Sequence, residues 1–261
     1  METRVTFLGT STAVPEPAHD TASFIINGNI LVDMGWNATL RMGQFGVDPL
    51  NIEYLILTHC HHDHYLSLPA LLFYRMMMGQ RHSGGLKPLR VIGPAADVAR
   101  VVSLALGFLQ AERFQLDAQV TVLPLGPGES LEQPGFRLDT VPSIHPVPGM
   151  SYRFTDHATG ARLCFTGDTA FNPAVATLAA DCSVLIHEAA LGPVAGDPAN
   201  NPALHSGALD AARIAGMAGV VQLYLVHALA AQMPECLAAA RAIFPAVDWK
   251  ADGESVVIPA R

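Results

Sequence analysis

The 261-residue sequence predicts an α/β fold, a sandwich in which helices cover the outer faces of two packed sheets. Strand-like and helix-like stretches alternate along the chain, and a weak internal repeat divides them into two halves. Strand, Asp, Gly, helix, strand and His occupy residues 30–59, and strand, Gly-Asp, helix, strand and His recur at 163–187. Half of the residues are hydrophobic and 15% are charged, which is enough apolar material for a buried core. No linker-like change in composition divides the chain, so we expect one domain over residues 1–261.

The first part of the chain is predicted to form short strands joined by tight turns. Alternating and apolar runs indicate strands at residues 4–8, 24–26, 30–32 and 54–57. Asn27-Gly28, between two of these runs, is typical of a two-residue hairpin turn. Asp33 follows the hairpin and has two interpretations. It orients a metal-binding histidine through a hydrogen bond, or it caps the helix that follows.

The rest of the chain alternates between helices and strands. Apolar stretches bounded by glycine or polar loops predict helices at residues 65–78, 95–110, 206–218 and 231–243. Short apolar or alternating runs predict strands at 89–94, 136–141, 152–154, 162–166, 184–186, 220–226 and 255–258. Turn-forming residues predict loops at 80–85, 124–135 and 189–204.

The first two predicted helices, 65–78 and 95–110, carry more apolar surface than one core face requires. This excess consists of Phe73, Met76, Met77, Met78, Phe108 and Leu109. Because proteins rarely leave such a patch exposed, and symmetric dimers are the commonest assembly, we expect a homodimer through these helices. Burial in the core and an apolar mouth for the substrate are the alternatives.

A cluster of metal-ligand residue types occupies Thr58–His64, directly after the apolar run at 54–57. Alternate side chains of an extended segment share a face, so His59 and His61 can reach one metal ion together. Asp63 and His64 come where the chain turns, and they can point to a second ion. Imidazole together with carboxylate suits zinc, iron or manganese and leaves coordination positions open for water. The intervening Cys60 and His62 are expected to face away from the metals.

The H-x-H-x-D-H pattern of this cluster resembles the metallo-β-lactamase superfamily. The opening L-G-T-x-x-x-x-P at residues 8–15 and the V-D-x-G step at 32–35 extend the resemblance. It implies the αββα four-layer sandwich, with the site along one edge, and two divalent metal ions, of which Zn²⁺ is preferred over Mn²⁺ or Fe²⁺. It also implies seven ligands: His59, His61 and His145 for one ion, Asp63, His64 and His227 for the other, and Asp168 as the bridge.

Such a pair of metal ions predicts a hydrolase, because it generates a bridging hydroxide and polarises the scissile group. Among hydrolases, the His187-Glu188 and His205-Ser206 steps resemble the ribonuclease Z and phosphodiesterase branch. In that branch the glutamate orients a histidine that contacts the phosphate and assists the leaving group. Glu188 and His205 are therefore candidate catalytic residues, together with Asp63. A buried structural Glu–His pair is the alternative.

The spacing of the ligands favours a small substrate. Ribonuclease Z enzymes of the common bacterial type carry a long Gly/Pro-rich arm for transfer RNA between the third histidine ligand and the bridging aspartate. Here only 22 residues lie between His145 and Asp168, and the net charge is −8. We therefore expect a small phosphodiester substrate, cyclic phosphates included, and no nucleic-acid partner. The alternatives are a lactone, thioester or aryl-sulfate hydrolase, ribonuclease Z-like RNA processing, or a non-catalytic metabolite-binding protein.

The sequence contains no feature of an exported or membrane protein. The amino terminus begins a strand without a basic, apolar signal region, and no apolar run reaches the length of a membrane-spanning helix. The four cysteines are scattered and form no C-x-x-C pair, which argues against a disulfide framework and a cysteine zinc site. We expect a cytoplasmic protein without a membrane partner.

Overall fold

The computed structural model describes residues 1–79, 86–113 and 119–261, and within these ranges two seven-stranded sheets pack face to face. Three helices cover the outer face of each sheet, as their separate apolar clusters show. The predicted αββα four-layer architecture is therefore confirmed. None of the helices in the described ranges has the length and hydropathy that a membrane crossing requires.

The amino-terminal half of the chain builds the first sheet, in the order β14-β1-β2-β3-β4-β5-β6. Its strands are β1 (Thr3–Gly9), β2 (Ser23–Ile26), β3 (Ile30–Val32), β4 (Tyr54–Ile56), β5 (Leu89–Pro94), β6 (Val120–Leu125) and the carboxy-terminal β14 (Ser255–Ile258). Its helices are α1 (Ala38–Gln44), α2 (Leu68–Gly79) and α3 (Val98–Phe108). The predicted hairpin joins β2 to β3, and the positive φ angles of Asn27 (53°) and Gly28 (77°) are those that a type I′ turn requires.

The second half of the chain builds the other sheet, in the order β13-β12-β11-β10-β9-β8-β7. Its strands are β7 (Ser130–Gln133), β8 (Phe136–Pro142), β9 (Met150–Asp156), β10 (Arg162–Phe165), β11 (Val184–Glu188), β12 (Gln222–Val226) and β13 (Val247–Asp248). Its helices are α4 (Pro173–Ala179), α5 (Ala208–Ala218) and α6 (Met233–Arg241).

The two sheets meet in a core of aromatic and branched side chains. Phe24 of the first sheet packs edge-on against Phe165 of the second, with 5.5 Å between the ring centroids. Tyr152 stacks on Phe165 at 5.3 Å, and its hydroxyl donates to the Leu57 carbonyl at 2.9 Å. Because a buried hydroxyl needs a partner, this bond joins the two sheets next to the histidine cluster.

The carboxyl ends of parallel strands bring the predicted site residues to one edge of the sandwich. β4 runs parallel to β3 and β5, and it ends just before the histidine cluster. In the second sheet, β10, β11 and β12 are parallel, and they lead to Asp168, Glu188 and His227. A hydrogen bond of 2.9 Å from the Met150 amide to the Thr58 carbonyl joins the two sheets at this edge.

Some elements differ from the sequence-based prediction. The expected loop at 124–135 instead contains the end of β6 and the hairpin strand β7. The alternation of exposed and half-buried residues in β7, a strand at the edge of the sheet, gives little apolar signal. The helix expected from residue 65 begins at Leu68, because His62–His64 form a 3₁₀ turn. The predicted loop at 80–85 lies outside the described residues.

A buried arginine anchors the segment that precedes β4. The side chain of Arg75 in α2 is fully buried, and its guanidinium donates to the Ile52 carbonyl at 2.7 Å and to those of Pro49 and Leu50 at 3.5 Å. It also donates to the Lys87 carbonyl. Burial lowers the pKa of Arg75 to about 10, so the side chain is charged at neutral pH. Arg75 thereby holds the chain on both sides of α2 through backbone carbonyls.

Candidate metal centre

Three of the predicted histidines converge on one point together with Asp168. His61 Nδ1 lies 3.2 Å from His59 Nε2 and 2.9 Å from His145 Nε2. Asp168 Oδ2 lies 3.6 Å from His59 Nε2 and 4.0 Å from His145 Nε2. The three ring nitrogens and the carboxylate oxygen thus face one common volume, with His61 presenting its Nδ1 and the other two presenting Nε2.

A second group shares the same aspartate oxygen. Asp63 Oδ2 lies 3.1 Å from His64 Nε2 and 3.2 Å from His227 Nε2. Asp168 Oδ2 lies 3.5 Å from each of these two ring nitrogens. The seven predicted ligands therefore come together as two four-residue groups with Asp168 in common.

The chemistry of these groups fits two divalent cations. Within each group, the candidate ligand atoms all lie within 4.8 Å of one another. Asp168 Oδ1 is buried and has no hydrogen-bond partner. A buried carboxylate oxygen without a partner is unfavourable, and a cation beside it removes the penalty. Neutral imidazoles and carboxylates are ligand types of zinc, manganese and iron, so the donor set suits a dinuclear site.

Hydrogen bonds behind the ligands fix how the rings face the centre. Asp33 accepts from His64 Nδ1 at 2.8 Å, which leaves His64 Nε2 directed at the second group. Asp33 also accepts from the amide and the hydroxyl of Thr58, each at 2.8 Å. Of its two interpretations, Asp33 therefore has the orienting role, because α1 has no side-chain cap and begins after Asn37.

Burial keeps the three histidines of the first group neutral. It lowers the pKa of His59 well below the usual range, lowers that of His61, and lowers that of His145 to about 4. Burial raises the pKa of Asp168, but the nearby His227 and His64 outweigh it and hold that pKa well below the usual range. A metal ion needs neutral imidazoles and ionised carboxylates, and these directions provide both for the first group. In the second group burial lowers the pKa values of His64 and His227, but the charge of Asp168 outweighs it, raising that of His64 well above the usual range and that of His227 to about 9. These two rings therefore release protons when a metal ion binds.

Glu188 and His205 form a hydrogen-bonded pair at the border of the centre. His205 Nδ1 lies 3.0 Å from Glu188 Oε1 and 3.9 Å from Asp168 Oδ2. Glu188 is buried and also accepts from the amides of Thr169 at 2.7 Å and Ala190 at 3.2 Å. Burial lowers the pKa of His205, but the hydrogen bond and charge of Glu188 outweigh it and raise that pKa above the usual value. With Nδ1 on Glu188, His205 keeps Nε2 for another partner.

Asn201, which the sequence analysis did not single out, holds the backbone of His205. Its side chain donates to the His205 carbonyl at 2.6 Å and accepts from the His205 amide at 3.1 Å. Leu204 has a φ of 54°, uncommon for a branched residue, and its carbonyl lies 3.4 Å from His145 Nδ1. The loop at 189–204 thus positions two histidines of the centre. No spacing or motif marks Asn201 within this Asn- and Pro-rich stretch.

The two intervening residues of the histidine cluster face away from the centre, as expected. Cys60 packs against the apolar layer between the first sheet and its helices. His62 is exposed, and its ring lies 5.8 Å from that of Tyr65. Within the described residues, neither side chain belongs to a group that could hold a metal ion.

Comparison with known proteins identifies the family and the fold of the chain. The family described as anti-Pycsar protein Apyc1 matches residues 3–198. The ribonuclease Z of Methanothermobacter thermautotrophicus is 28% identical over 307 aligned positions, which cover 98% of this chain and 97% of that protein. That alignment is longer than the 261 residues of this chain, so the relative carries segments that this chain lacks.

Solved structures show the same fold. YhfI from Bacillus subtilis, a metallo-β-lactamase fold protein, superposes with a TM-score of 0.79 at 22% identity, covering 98% of this chain and all of that one. A diphosphatase from the PhnP family superposes with a TM-score of 0.73 at 19% identity, covering 97% of each chain. The chain therefore belongs to the family of the anti-Pycsar protein Apyc1 and is a metal-dependent hydrolase of the metallo-β-lactamase fold.

Proposed function

We propose that the protein is a phosphodiesterase that hydrolyses a small phosphodiester, cyclic phosphates included, in one domain over residues 1–261. The observation that carries the proposal is the Glu188–His205 pair beside Asp168. His205 Nδ1 is 3.0 Å from the Glu188 carboxylate and 3.9 Å from Asp168 Oδ2. A cationic histidine at the edge of a metal centre suits a phosphoryl group and its leaving oxygen better than it suits a neutral ester.

We assign one divalent ion to His59, His61 and His145, a second to Asp63, His64 and His227, and the bridge to Asp168. The distances within the two four-residue groups support this assignment. Asp168 Oδ2 faces both groups, and a carboxylate has enough lone pairs to serve two ions, which an imidazole with one nitrogen engaged does not have. Zinc as the metal and the cytoplasm as the location stay predictions of the sequence.

Two divalent ions bound here would activate water and polarise the phosphoryl oxygens. During hydrolysis, a water oxygen bonds to phosphorus and the bond from phosphorus to the leaving oxygen breaks. His205 gives its Nε2 proton to that oxygen, while Glu188 holds Nδ1 and stabilises the cation. The raised pKa of His205 supports this role, because a proton donor must be charged near neutral pH. The proton that the water releases to solvent balances the one that His205 gives up. The products are a phosphomonoester and an alcohol, which for a cyclic phosphate are parts of one molecule.

The short connection between His145 and Asp168 supports a small substrate. It consists of the loop before β9, the β9–β10 hairpin and the turn that follows. These elements leave no room for an additional arm that binds transfer RNA. The net charge of −8 also disfavours an extended phosphate-binding surface.

RNA processing is the second candidate, because a relative that covers nearly the whole chain is named ribonuclease Z. A hydrolysis panel separates the candidates: small linear and cyclic phosphodiesters, a precursor transfer RNA, a phosphomonoester, a lactone, a thioester and an aryl sulfate. Metal content is measured on the same preparation. We expect two divalent ions per chain and the highest kcat/KM on a small phosphodiester. A preference of about a hundredfold for the lactone or for the RNA would overturn the proposal.

We also propose a homodimer through α2 and α3. Leu104 and Phe108 of α3 are 60% and 77% exposed, and Phe73 and Met77 of α2 are about half exposed. Met76, which was expected in the same surface, is instead buried in the apolar layer between the first sheet and its helices. Such neighbouring apolar side chains favour a partner, and a second copy supplies a matching surface. We expect light scattering to give twice the 27.7 kDa chain mass and Phe108→Glu to give a monomer. Met217→Glu, at an exposed position of α5, is the matched control. A wild-type monomer at micromolar concentration would contradict the proposal.

A further inference from the structure

Two hydroxyl residues beside the centre have no part in the metal or proton-donor assignments. Thr169 follows the bridging Asp168, and Ser206 follows His205 in the chain. Both side chains are fully buried. A buried hydroxyl needs a hydrogen-bond partner, and each of these two finds its partners on the backbone next to the functional side chains. The two hydroxyls therefore connect separate segments of the centre.

The Thr169 hydroxyl holds the segment that carries His145. Thr169 Oγ1 accepts from the Ile144 amide at 2.9 Å and donates to the Ala170 carbonyl at 3.0 Å, so its proton and a lone pair are both engaged. The Ala170 amide donates to the Ile144 carbonyl at 2.9 Å. Both backbone groups of Ile144 are thus bound to the segment that follows Asp168. Because His145 is the next residue, these bonds hold a ligand of the first ion close to the bridging carboxylate.

The segment that carries His145 is not held by a regular ladder of backbone bonds. It lies between β8 and β9, outside the strands and helices. Pro146 and Pro148 within it have no amide hydrogen and cannot donate. A side-chain acceptor, the Thr169 hydroxyl, therefore does for the Ile144 amide what a neighbouring strand does for an amide within a sheet.

The Ser206 hydroxyl holds the segment that carries His205. Ser206 Oγ donates to the Thr169 carbonyl at 2.7 Å. The Thr169 amide donates to Glu188 Oε1 at 2.7 Å, and the same oxygen lies 3.0 Å from His205 Nδ1. Thr169 is thus connected to both members of the Glu188–His205 pair. It binds the glutamate directly, and it binds the histidine through the neighbouring serine.

We infer that Thr169 and Ser206 are positioning residues of the centre. The Thr169 hydroxyl acts on the first metal ion through His145, and this part rests on the ligand assignment alone. The Ser206 hydroxyl acts on proton transfer through His205, and this part rests on the proposed function. The amide and the carbonyl of Thr169 belong to the backbone, so Thr169→Val removes the hydroxyl contact and leaves the contacts to Glu188 and Ser206. The two parts can therefore be tested separately.

Titration with Zn²⁺ in the presence of a competing chelator tests the Thr169 hydroxyl. We expect Thr169→Val to weaken the binding of one of the two ions about tenfold or more, the usual loss when the support of a metal ligand is removed. Thr169→Ala, which adds no methyl group, should do the same. Thr169→Ser keeps the hydroxyl and should bind both ions within about threefold of wild type. In a His145→Ala background, Thr169→Val should change the affinity of the remaining ion by less than about twofold.

Thr3→Val is the matched control, because Thr3 is a fully buried threonine at the start of β1 whose hydroxyl donates to Asp156 at 2.7 Å. It should leave the affinity for both ions unchanged. Three results would overturn this part of the inference: unchanged Zn²⁺ binding in Thr169→Val, equal weakening in Thr169→Val and Thr169→Ser, or the full weakening by Thr169→Val in the His145→Ala background.

Hydrolysis of two phosphodiesters tests the Ser206 hydroxyl. We expect Ser206→Ala to lower kcat about fivefold on an alkyl phosphodiester, the effect of one lost hydrogen bond, and less than about twofold on a bis-nitrophenyl diester. In a His205→Ala background, Ser206→Ala should change kcat by less than about twofold. The affinity for Zn²⁺ should be that of wild type. Ser183→Ala is the matched control, because Ser183 is also buried and its hydroxyl donates to the Pro259 carbonyl at 2.7 Å.

Equal losses on the two diesters, no loss on either, or weaker Zn²⁺ binding in Ser206→Ala would overturn the second part of the inference. Failure of the proposed function gives a different result. If wild type hydrolyses neither diester, the proposed function fails and the role of Ser206 fails with it. The Zn²⁺ titration then still decides the role of the Thr169 hydroxyl, because metal binding needs no substrate.

Discussion

Asn201→Ala tests whether the loop at 189–204 positions the proposed proton donor. The Asn201 side chain makes two hydrogen bonds to the His205 backbone, at 2.6 and 3.1 Å. Each such bond contributes about 0.5–1.5 kcal/mol, so their loss removes about 1–3 kcal/mol of restraint on His205. If the whole loss is added to the activation free energy of hydrolysis, kcat decreases by a factor of about 5–150.

The assay measures kcat on an alkyl phosphodiester for wild type, Asn201→Ala, His205→Ala and the double variant. Because Asn201 acts through His205, we expect Asn201→Ala to change kcat by less than about twofold when His205 is already alanine. Metal content should be the same in all four proteins. Asn200→Ala is the matched control, since Asn200 is exposed and its side chain bonds only Asp197 among the described contacts.

Additive effects in this cycle would refute the reasoning. They would show that Asn201 acts on the centre by another route, such as the Leu204 carbonyl beside His145. Loss of bound metal in Asn201→Ala would have the same meaning. The test depends on whether the decrease in kcat requires the His205 side chain, and less on how large that decrease is.

Three further predictions concern the centre and the scaffold. His205→Ala should lower kcat about 10²–10⁴-fold on alkyl phosphodiesters and clearly less on a bis-nitrophenyl diester, whose leaving group needs little protonation, with both metals retained. Asp168→Ala should lose tight binding of the second ion, measured as metal content after dialysis, because Asp168 Oδ2 is shared by both groups. Arg75→Met should lower the free energy of unfolding by about 3–5 kcal/mol in urea, because the carbonyls of Ile52 and its neighbours lose their buried donor.

Each of these predictions has an outcome that contradicts it. Equal losses on both diesters would make His205 a phosphate contact or a structural residue. Two tightly bound ions and normal turnover in Asp168→Ala would make the ligand assignment wrong. An Arg75→Met protein as stable as wild type would show that water replaces the guanidinium, and Arg100→Met, at an exposed position of α3, provides the baseline for a surface arginine.

Much of the site could be predicted from sequence because its residues are close together in the chain. His59, His61, Asp63 and His64 follow one apolar strand, and the two-residue period of a strand brings the first two to one face. The remaining candidate ligands, His145, Asp168 and His227, were identified by resemblance to a family pattern. These three residues lie next to the histidine cluster only because strands of both sheets end at the same edge of the sandwich.

The tertiary structure decided what depends on contacts between distant segments. The sequence leaves two interpretations of Asp33, and the hydrogen bond between its carboxylate and His64, 31 residues away, decides between them. β7 carries too few apolar residues to be recognised, and only its pairing with β8 reveals it. Asn201 belongs to no motif, because it acts through the backbone of His205. Side-chain periodicity is a local property of the chain, whereas the partner of a polar group is set by how the folded segments pack.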